Sequence, residues 1–237
     1  MKGTQALVAE FLGTFFLCFA GIAAILSTTS AVGSGAGIVG IALAHGLALS
    51  IAVNAFGGVS GGHCNPAVTL AMLVTGRSSP QNAVGYIVAQ CAGATAAAFL
   101  CASVFPADAV AQANLGIPLP AAWATSGVVF TLEFVMTFLL VIAVFGTAVD
   151  PHAPKVGGFA IGLTVAADIL AIGPLTGASM NPARSFGPAV ASGQYEAQGV
   201  YWIGPILGGV AAALLYDTLF LRRGKENPLH GPVEPNG

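Results

Sequence analysis

Charge is what this chain has least of. Only 7% of its 237 residues are Asp, Glu, Lys or Arg, where an ordinary soluble domain carries roughly 25%. From Phe11 to Gly76 there is none, and from Ser78 to Leu132 there is one, Asp108. A chain so poor in charge cannot cover a globular fold with a water-facing surface, which excludes a soluble domain. The net charge of −2 offers no basic patch, so nucleic acid is not an expected partner. Cysteine is also sparse. Cys18, Cys64, Cys91 and Cys101 stand at irregular spacings, three of them in apolar runs. This is neither a disulfide framework nor a zinc site, and such cysteines behave as small buried hydrophobes. No metal or cofactor is implied. No nucleophile–base constellation is present either, so the chain is not read as an enzyme. The first apolar run starts near Ala6 and no polar cleavage region follows it, which reads as a retained span rather than a cleaved signal.

What remains is apolar: 56% of residues are hydrophobic. Since ~20 apolar residues cross a bilayer as a helix, six spans are predicted, roughly 4–27, 36–57, 81–104, 125–148, 156–173 and 199–222. The expected class is an all-α membrane protein. With the N-terminus inside, Lys2, Arg77, Lys155, Arg222, Arg223 and Lys225 fall in inside segments, as the positive-inside rule requires. Both termini are then cytoplasmic. Arg184 alone is left unassigned by that rule.

Two shorter apolar stretches, roughly 65–75 and 181–191, begin at the same tripeptide, Asn65–Ala67 and Asn181–Ala183. The halves match elsewhere too. Ala9-Glu10-Phe11 with Thr14-Phe15 recurs as Leu132-Glu133-Phe134 with Thr137-Phe138, and Tyr86 to Gly93 recurs as Tyr201 to Gly208. Three spans per half make the second copy inverted across the membrane. The division is repeat one at about 1–118, repeat two at about 119–228, one channel domain over 1–228, and a disordered tail at 229–237. A half-helix of ~11 residues rises about 16 Å, so two entering from opposite faces meet near the midplane. Broken backbone at that depth is tolerated only where protein or a water-filled cavity satisfies it. Asn suits the N-cap and Pro the first helical position. Capping uses the Asn side-chain oxygen and leaves its NH₂ free to donate into a lumen.

The runs Ser60-Gly61-Gly62-His63-Cys64-Asn65-Pro66-Ala67-Val68-Thr69 and Ser179-Met180-Asn181-Pro182-Ala183-Arg184-Ser185 resemble the two signature loops of the major intrinsic proteins, the aquaporins. The likeness covers nearly the whole chain. It implies six tilted helices and two re-entrant half-helices, one pore per protomer and a homotetramer. Ser185, Ala189 and the Tyr201-Trp202 pair stand where glycerol facilitators carry Asp, a basic residue and Pro with an aliphatic residue, so the chain is similar to the water-channel type. The segment Ala171–Pro174 leading into Ser179–Val190 resembles the plant tonoplast-intrinsic subgroup. That likeness implies a selectivity filter of His45, Ile169, Ala178 and Arg184, wider and less polar on one wall than a strict water filter. Similar filters pass ammonia, hydrogen peroxide or urea besides water. The subgroup's ammonia-conducting members carry a His in the third loop, and residues 108–122 contain none.

On this reading Asn65 and Asn181 form the central constriction. Arg184 is a fixed cation at the outer one. His63 lines the inner vestibule or braces its loop. Glu10 and Glu133 each pin a re-entrant loop by accepting backbone N–H bonds. Without the resemblance, His45 would read as a core histidine. Asp168, where similar proteins have Asn, either braces the loop bearing Arg184 or biases the pore mouth. The small-residue pairs Gly85/Gly93 and Gly204/Gly208 imply close helix packing. The expected function is a passive water channel excluding protons and ions, in contact with the lipid bilayer. An ion-coupled transporter is the alternative from another class, since inverted repeats and broken helices occur there too. Composition points to a bacterial plasma (inner) membrane.

Overall fold

The computed structural model describes residues 2–33, 35–154 and 156–221. Lys155, Arg222, Arg223 and Lys225, which carry much of the orientation argument, lie outside the described residues, as does the expected tail at 229–237. Among the described residues there are helices and no strands.

Helix formation follows from apolar stripes that change their target from one face to the other. Along α2 (Gly37–Ser60), Val39, Leu43, Leu47 and Ile51 recur every fourth residue and are exposed, while Ala42, His45, Leu49 and Ala52 are buried. In α1 (Lys2–Ser27), Val8, Leu12 and Phe16 are exposed, whereas Glu10, Thr14 and Leu17 are buried. An exposed apolar stripe opposite a buried polar group suits lipid outside and a polar interior within. Six helices are long and apolar enough to cross a membrane: Gly3–Ser27, Gly37–Ser60, Pro80–Val104, Ser126–Val149, Gly157–Thr176 and Gln198–Leu221. The last four belong to α4 (Pro80–Val104), α6 (Ser126–Val144), α7 (Gly157–Thr176) and α9 (Gln198–Tyr216), with π-helical turns at Phe145–Val149 and Asp217–Leu221 extending α6 and α9. The half-helices are α3 (Pro66–Val74) and α8 (Pro182–Ser192). A short helix, α5 (Ala107–Gln112), and a 3₁₀ turn at Asn114–Gly116 give the third loop a structure that the sequence did not announce.

Two span ends differ from expectation. The second was expected to stop near residue 57. It runs to Ser60, because the left-handed residue that stops it is Gly61 (φ 93°), whose N–H closes on the Gly57 carbonyl. The fifth was expected to stop at residue 173, before a proline. Pro174 instead sits in the last turn, and Gly177 (φ 80°) ends the helix by donating to the Gly173 carbonyl.

Glycine sets how closely the helices approach. A Cβ on Gly93 of α4 would strike the Phe11 carbonyl oxygen of α1, and one on Gly208 of α9 would strike the Phe134 carbonyl oxygen of α6. These are the same contact in the two halves. Gly46 of α2 and Gly162 of α7 face each other's carbonyl oxygens, so the crossing is reciprocal. Gly204 lies 3.2 Å, measured from an added Cβ, from the Phe130 carbonyl oxygen, while Gly85 meets only the flexible Leu7 side chain at 3.0 Å. At one end of the bundle, Arg77 pairs with Asp217 at 2.7 Å and lies over the Phe145 ring at 5.3 Å, tying the end of α3 to the ends of α9 and α6.

Gly208→Ala should therefore cost about 1–3 kcal/mol, the range for overpacking. Gly199→Ala, in open space on the same helix, should be neutral or stabilising, since Ala outranks Gly in helix propensity by about 1 kcal/mol. Thermal unfolding of the purified protein in detergent should place the Gly208 variant well below wild type and the Gly199 variant at or above it. Equal midpoints would contradict the close approach of α6 and α9.

Candidate functional site

The two broken segments are built from the same parts. Asn65 has extended backbone, its side-chain oxygen accepts from Ala67 N–H at 2.8 Å, and Pro66 takes the first helical position. Asn181 repeats this, accepting from Ala183 N–H at 3.0 Å and Arg184 N–H at 3.3 Å, with Pro182 next. Each Asn thus caps its half-helix by the oxygen.

The amide nitrogens do something the sequence did not predict. They were expected to be free for a lumen. Instead Asn65 Nδ2 donates to the Met180 carbonyl and Asn181 Nδ2 to the Cys64 carbonyl, each at 2.8 Å. Cys64 (φ 49°) and Met180 (φ 48°) both have left-handed backbone, which turns each carbonyl toward the opposing Asn. The half-helices are therefore stitched together at their N-termini. An amide nitrogen carries two hydrogens, so one N–H of each Asn remains for a passing molecule, and both residues line the cavity described below.

Behind each loop sits a glutamate. Glu10 accepts from His63 N–H (2.9 Å), Cys64 N–H (2.7 Å), the Ser60 hydroxyl (2.6 Å) and Gln90 Nε2 (2.7 Å). Glu133 accepts from Ser179 N–H (2.9 Å), Met180 N–H (2.7 Å) and the Thr176 hydroxyl (2.8 Å). The hydroxyls act as relays: Ser60 Oγ accepts from Gly62 N–H and Thr176 Oγ1 from Ala178 N–H. Tyr86 and Tyr201 donate to the carbonyls of Ser60 and Thr176. The relay roles of Ser60, already part of the first signature run, and of Thr176 were not foreseen from the sequence. Each stands five residues before its motif Asn, and aligning the halves on hydroxyl chemistry rather than identity would have found them.

Between these supports runs a cavity of about 220 Å³. Its lining combines Asn65, Asn181, His63, Ala178 and Arg184 with apolar residues such as Leu49, Val68, Leu140 and Val165. A second cavity, of about 230 Å³, lies beyond it under the third loop and is lined by Ile25, Ile38 and Pro118 among others. His45, Ile169 and Arg184 belong to both linings. Ala178 lines the first cavity alone, and Asp168, although adjacent to Ile169, lines neither.

Each remaining residue has a defined setting. Arg184 is buried, donates from a terminal guanidinium nitrogen to the Gly116 carbonyl at 2.8 Å, and keeps Nε without a protein partner. Gly116 comes from the third loop, a tie that nothing in the sequence marked. Among the described residues Arg184 forms no ion pair. His45 Nδ1 lies 2.9 Å from the Ile41 carbonyl. A carbonyl only accepts, so Nδ1 carries a proton, and in the neutral ring Nε2 is then an acceptor. His63 Nδ1 lies 3.1 Å from the Thr69 hydroxyl and its ring meets Tyr86 edge-on. It both lines the cavity and is braced. Cys64 Sγ packs into the notch left by Gly13, and Cys64 is absent from the cavity lining. Asp168 is buried with Oδ2 unpartnered. No group of His, Cys, Asp or Glu able to hold a metal occurs among the described residues.

Six membrane-length helices in an inverted repeat, with two half-helices meeting on a lined cavity, define a membrane transport protein. The family profile of the major intrinsic proteins matches residues 1–216, and the chain belongs to that family. It is 43% identical over 234 residues to aquaporin TIP4-4 of Zea mays, covering 95% of this chain and 90% of that one. It is 42% identical over 236 residues to aquaporin TIP2-1 of Arabidopsis thaliana, covering 97% and 92%. Both belong to the tonoplast-intrinsic subgroup. Among solved structures, the aquaglyceroporin of Plasmodium falciparum has the same fold, with a TM-score of 0.81 at 20% identity over 92% of this chain and 96% of that one.

Replacing Glu133 by Gln should test the brace. The amide would set an NH₂ against donors already aimed at that position, leaving at least one buried N–H unpaired at a cost of about 1–3 kcal/mol. Expected are a lower thermal midpoint and lower water permeability per reconstituted protein. Unchanged values for both would mean that the second loop is held in some other way.

Proposed function

We propose that the chain is a passive water channel that excludes protons and other ions and also admits small neutral solutes such as ammonia, hydrogen peroxide or urea. The observation that carries this reading is that two cavities, one reaching the stitched half-helix ends, share His45, Ile169 and Arg184 as their common wall. A route bounded by a mostly apolar wall with a few polar groups lets water pass without being held. Asn65 and Asn181 each offer one N–H to water at the centre. Arg184 and His45 supply a donor and an acceptor at the outer constriction. Each half-helix adds about half a positive charge at its N-terminus, and two such ends at one level oppose cations. Ile169 and Ala178 contribute no polar group, and Ala178 leaves space on the inner side of Arg184. Glycerol should pass poorly, since no aromatic corner faces its carbon backbone.

On this reading residues 1–228 form one channel domain, with repeats meeting near 118/119. Glu10 and Glu133 act as loop braces. His63 belongs to the inner vestibule, and four protomers assemble, each with its own pore. The protein is integral and multi-pass, with both termini on the cytoplasmic side. The two aquaporins named above by sequence identity are plant proteins, and neither supports the bacterial plasma membrane suggested by composition.

Stopped-flow light scattering of proteoliposomes, challenged in turn with urea, ammonia and glycerol and normalised to water flux, tests the filter. The double variant Ile169→His with His45→Phe should lower urea and ammonia flux relative to water and leave water flux measurable. Equal solute-to-water ratios in wild type and variant would mean that these residues do not set selectivity.

A further inference from the structure

On α1, Leu17, Gly21 and Ile25 are spaced by four residues and share one helix face. Leu17 lines the inner cavity and Ile25 the outer one. Gly21 lies between them, at the level where the two cavities share His45. A Cβ added to Gly21 would overlap the His45 imidazole. Its three nearest heavy atoms are Nε2, Cδ2 and Cε1 of that ring, the last two at 2.5 Å. The imidazole thus occupies the space a side chain would take, while Nδ1 is tethered at 2.9 Å to the Ile41 carbonyl of its own helix.

We propose that Gly21 is a specificity-determining position of the pore: lacking a side chain, it seats the His45 ring against the first span and so sets the width of the outer constriction. Gly21 lines neither cavity, so it acts through His45 as a positioning residue. With a methyl group there, the ring must retreat by roughly 1.5 Å to bring its nearest atom, Nε2, to an ordinary non-bonded separation of about 3.5 Å. The tether at Ile41 restricts where it goes. Ring atoms pushed off α1 move toward Ile169 and Arg184, the other members of the shared wall. A loss of bore at a constriction penalises a wider solute more than water. This inference rests on the reading of His45 as part of the filter.

The test compares wild type, Gly21→Ala, His45→Ala and the double variant in proteoliposomes, reading urea and water flux and the thermal midpoint in detergent. Gly21→Ala should lower the urea-to-water ratio by roughly tenfold, since bore governs passage at a constriction. His45→Ala should raise that ratio, and Gly21→Ala added to it should change the ratio no further. If Gly21→Ala alone fails to assemble, the double variant should assemble, because the ring that meets the new methyl group is gone. A ratio unchanged by Gly21→Ala, while His45→Ala raises it, overturns this inference and leaves the filter reading standing. A fall in the ratio of equal size in the His45→Ala background also overturns it, as does a double variant that fails to assemble. A ratio unchanged by His45→Ala alone is the separate result that removes the filter reading itself.

Discussion

A backbone N–H or C=O left unpaired in hydrocarbon costs several kcal/mol, and this chain interrupts its helices twice within the bundle. Everything peculiar to the structure follows from meeting that cost. Glu10 and Glu133 exist in apolar spans because each takes two consecutive backbone N–H groups of a re-entrant loop. Asn65 and Asn181 cap their half-helices and then use the same side chains to satisfy carbonyls of the opposite loop. The supports are themselves costly if unpaired. Buried acids, hydroxyls and tyrosines therefore form a connected network in each half, and among the described residues few buried side-chain atoms lack a hydrogen-bond partner: Thr14 Oγ1, Gln90 Oε1, Asp168 Oδ2 and Arg184 Nε. Of these, Arg184 alone lines the two cavities described above, where a passing water could pair with its Nε.

The same constraint yields the function. Stitching the two loops at their Asn residues holds two helix N-termini together, so two positive partial charges of about half a unit each lie where the route is polar. The protein does not need a moving part or a chemical step to favour a neutral dipole over a cation. The first half carries a further support, Gln90, three residues before Gly93. The corresponding position before Gly208 is Pro205, which has no side-chain donor, so the second loop rests on Glu133, Thr176 and Tyr201.

Much of this was legible in the sequence because the repeat prints each half's landmarks twice. The paired Asn-Pro-Ala, the glutamates at Glu10 and Glu133, and the Gly93/Gly208 contacts all follow from aligning the two halves. The left-handed backbone at Cys64 and Met180 was not legible, since neither is glycine or asparagine. Without it the cross-donation between loops could not be foreseen. Nor was the tie between Arg184 and Gly116, whose partners lie 68 residues apart and whose acceptor is a backbone atom with no side-chain signature. Ala178, expected among the filter residues, lines the first cavity and not the second; its left-handed backbone (φ 45°) has no signature in an alanine. Span ends shifted for a similarly local reason: the glycine able to adopt positive φ ended the helix, not the first proline or glycine met along the chain.

The central claim is that water passes this pore and protons do not, with the stitched half-helix ends as the barrier. The direct measurement uses proteoliposomes containing an internal pH indicator, given an osmotic step and a pH step together at several protein-to-lipid ratios. The account predicts that the rate of osmotic shrinkage rises with protein content while the proton leak stays at that of protein-free vesicles. A leak that rises in step with the protein would contradict it.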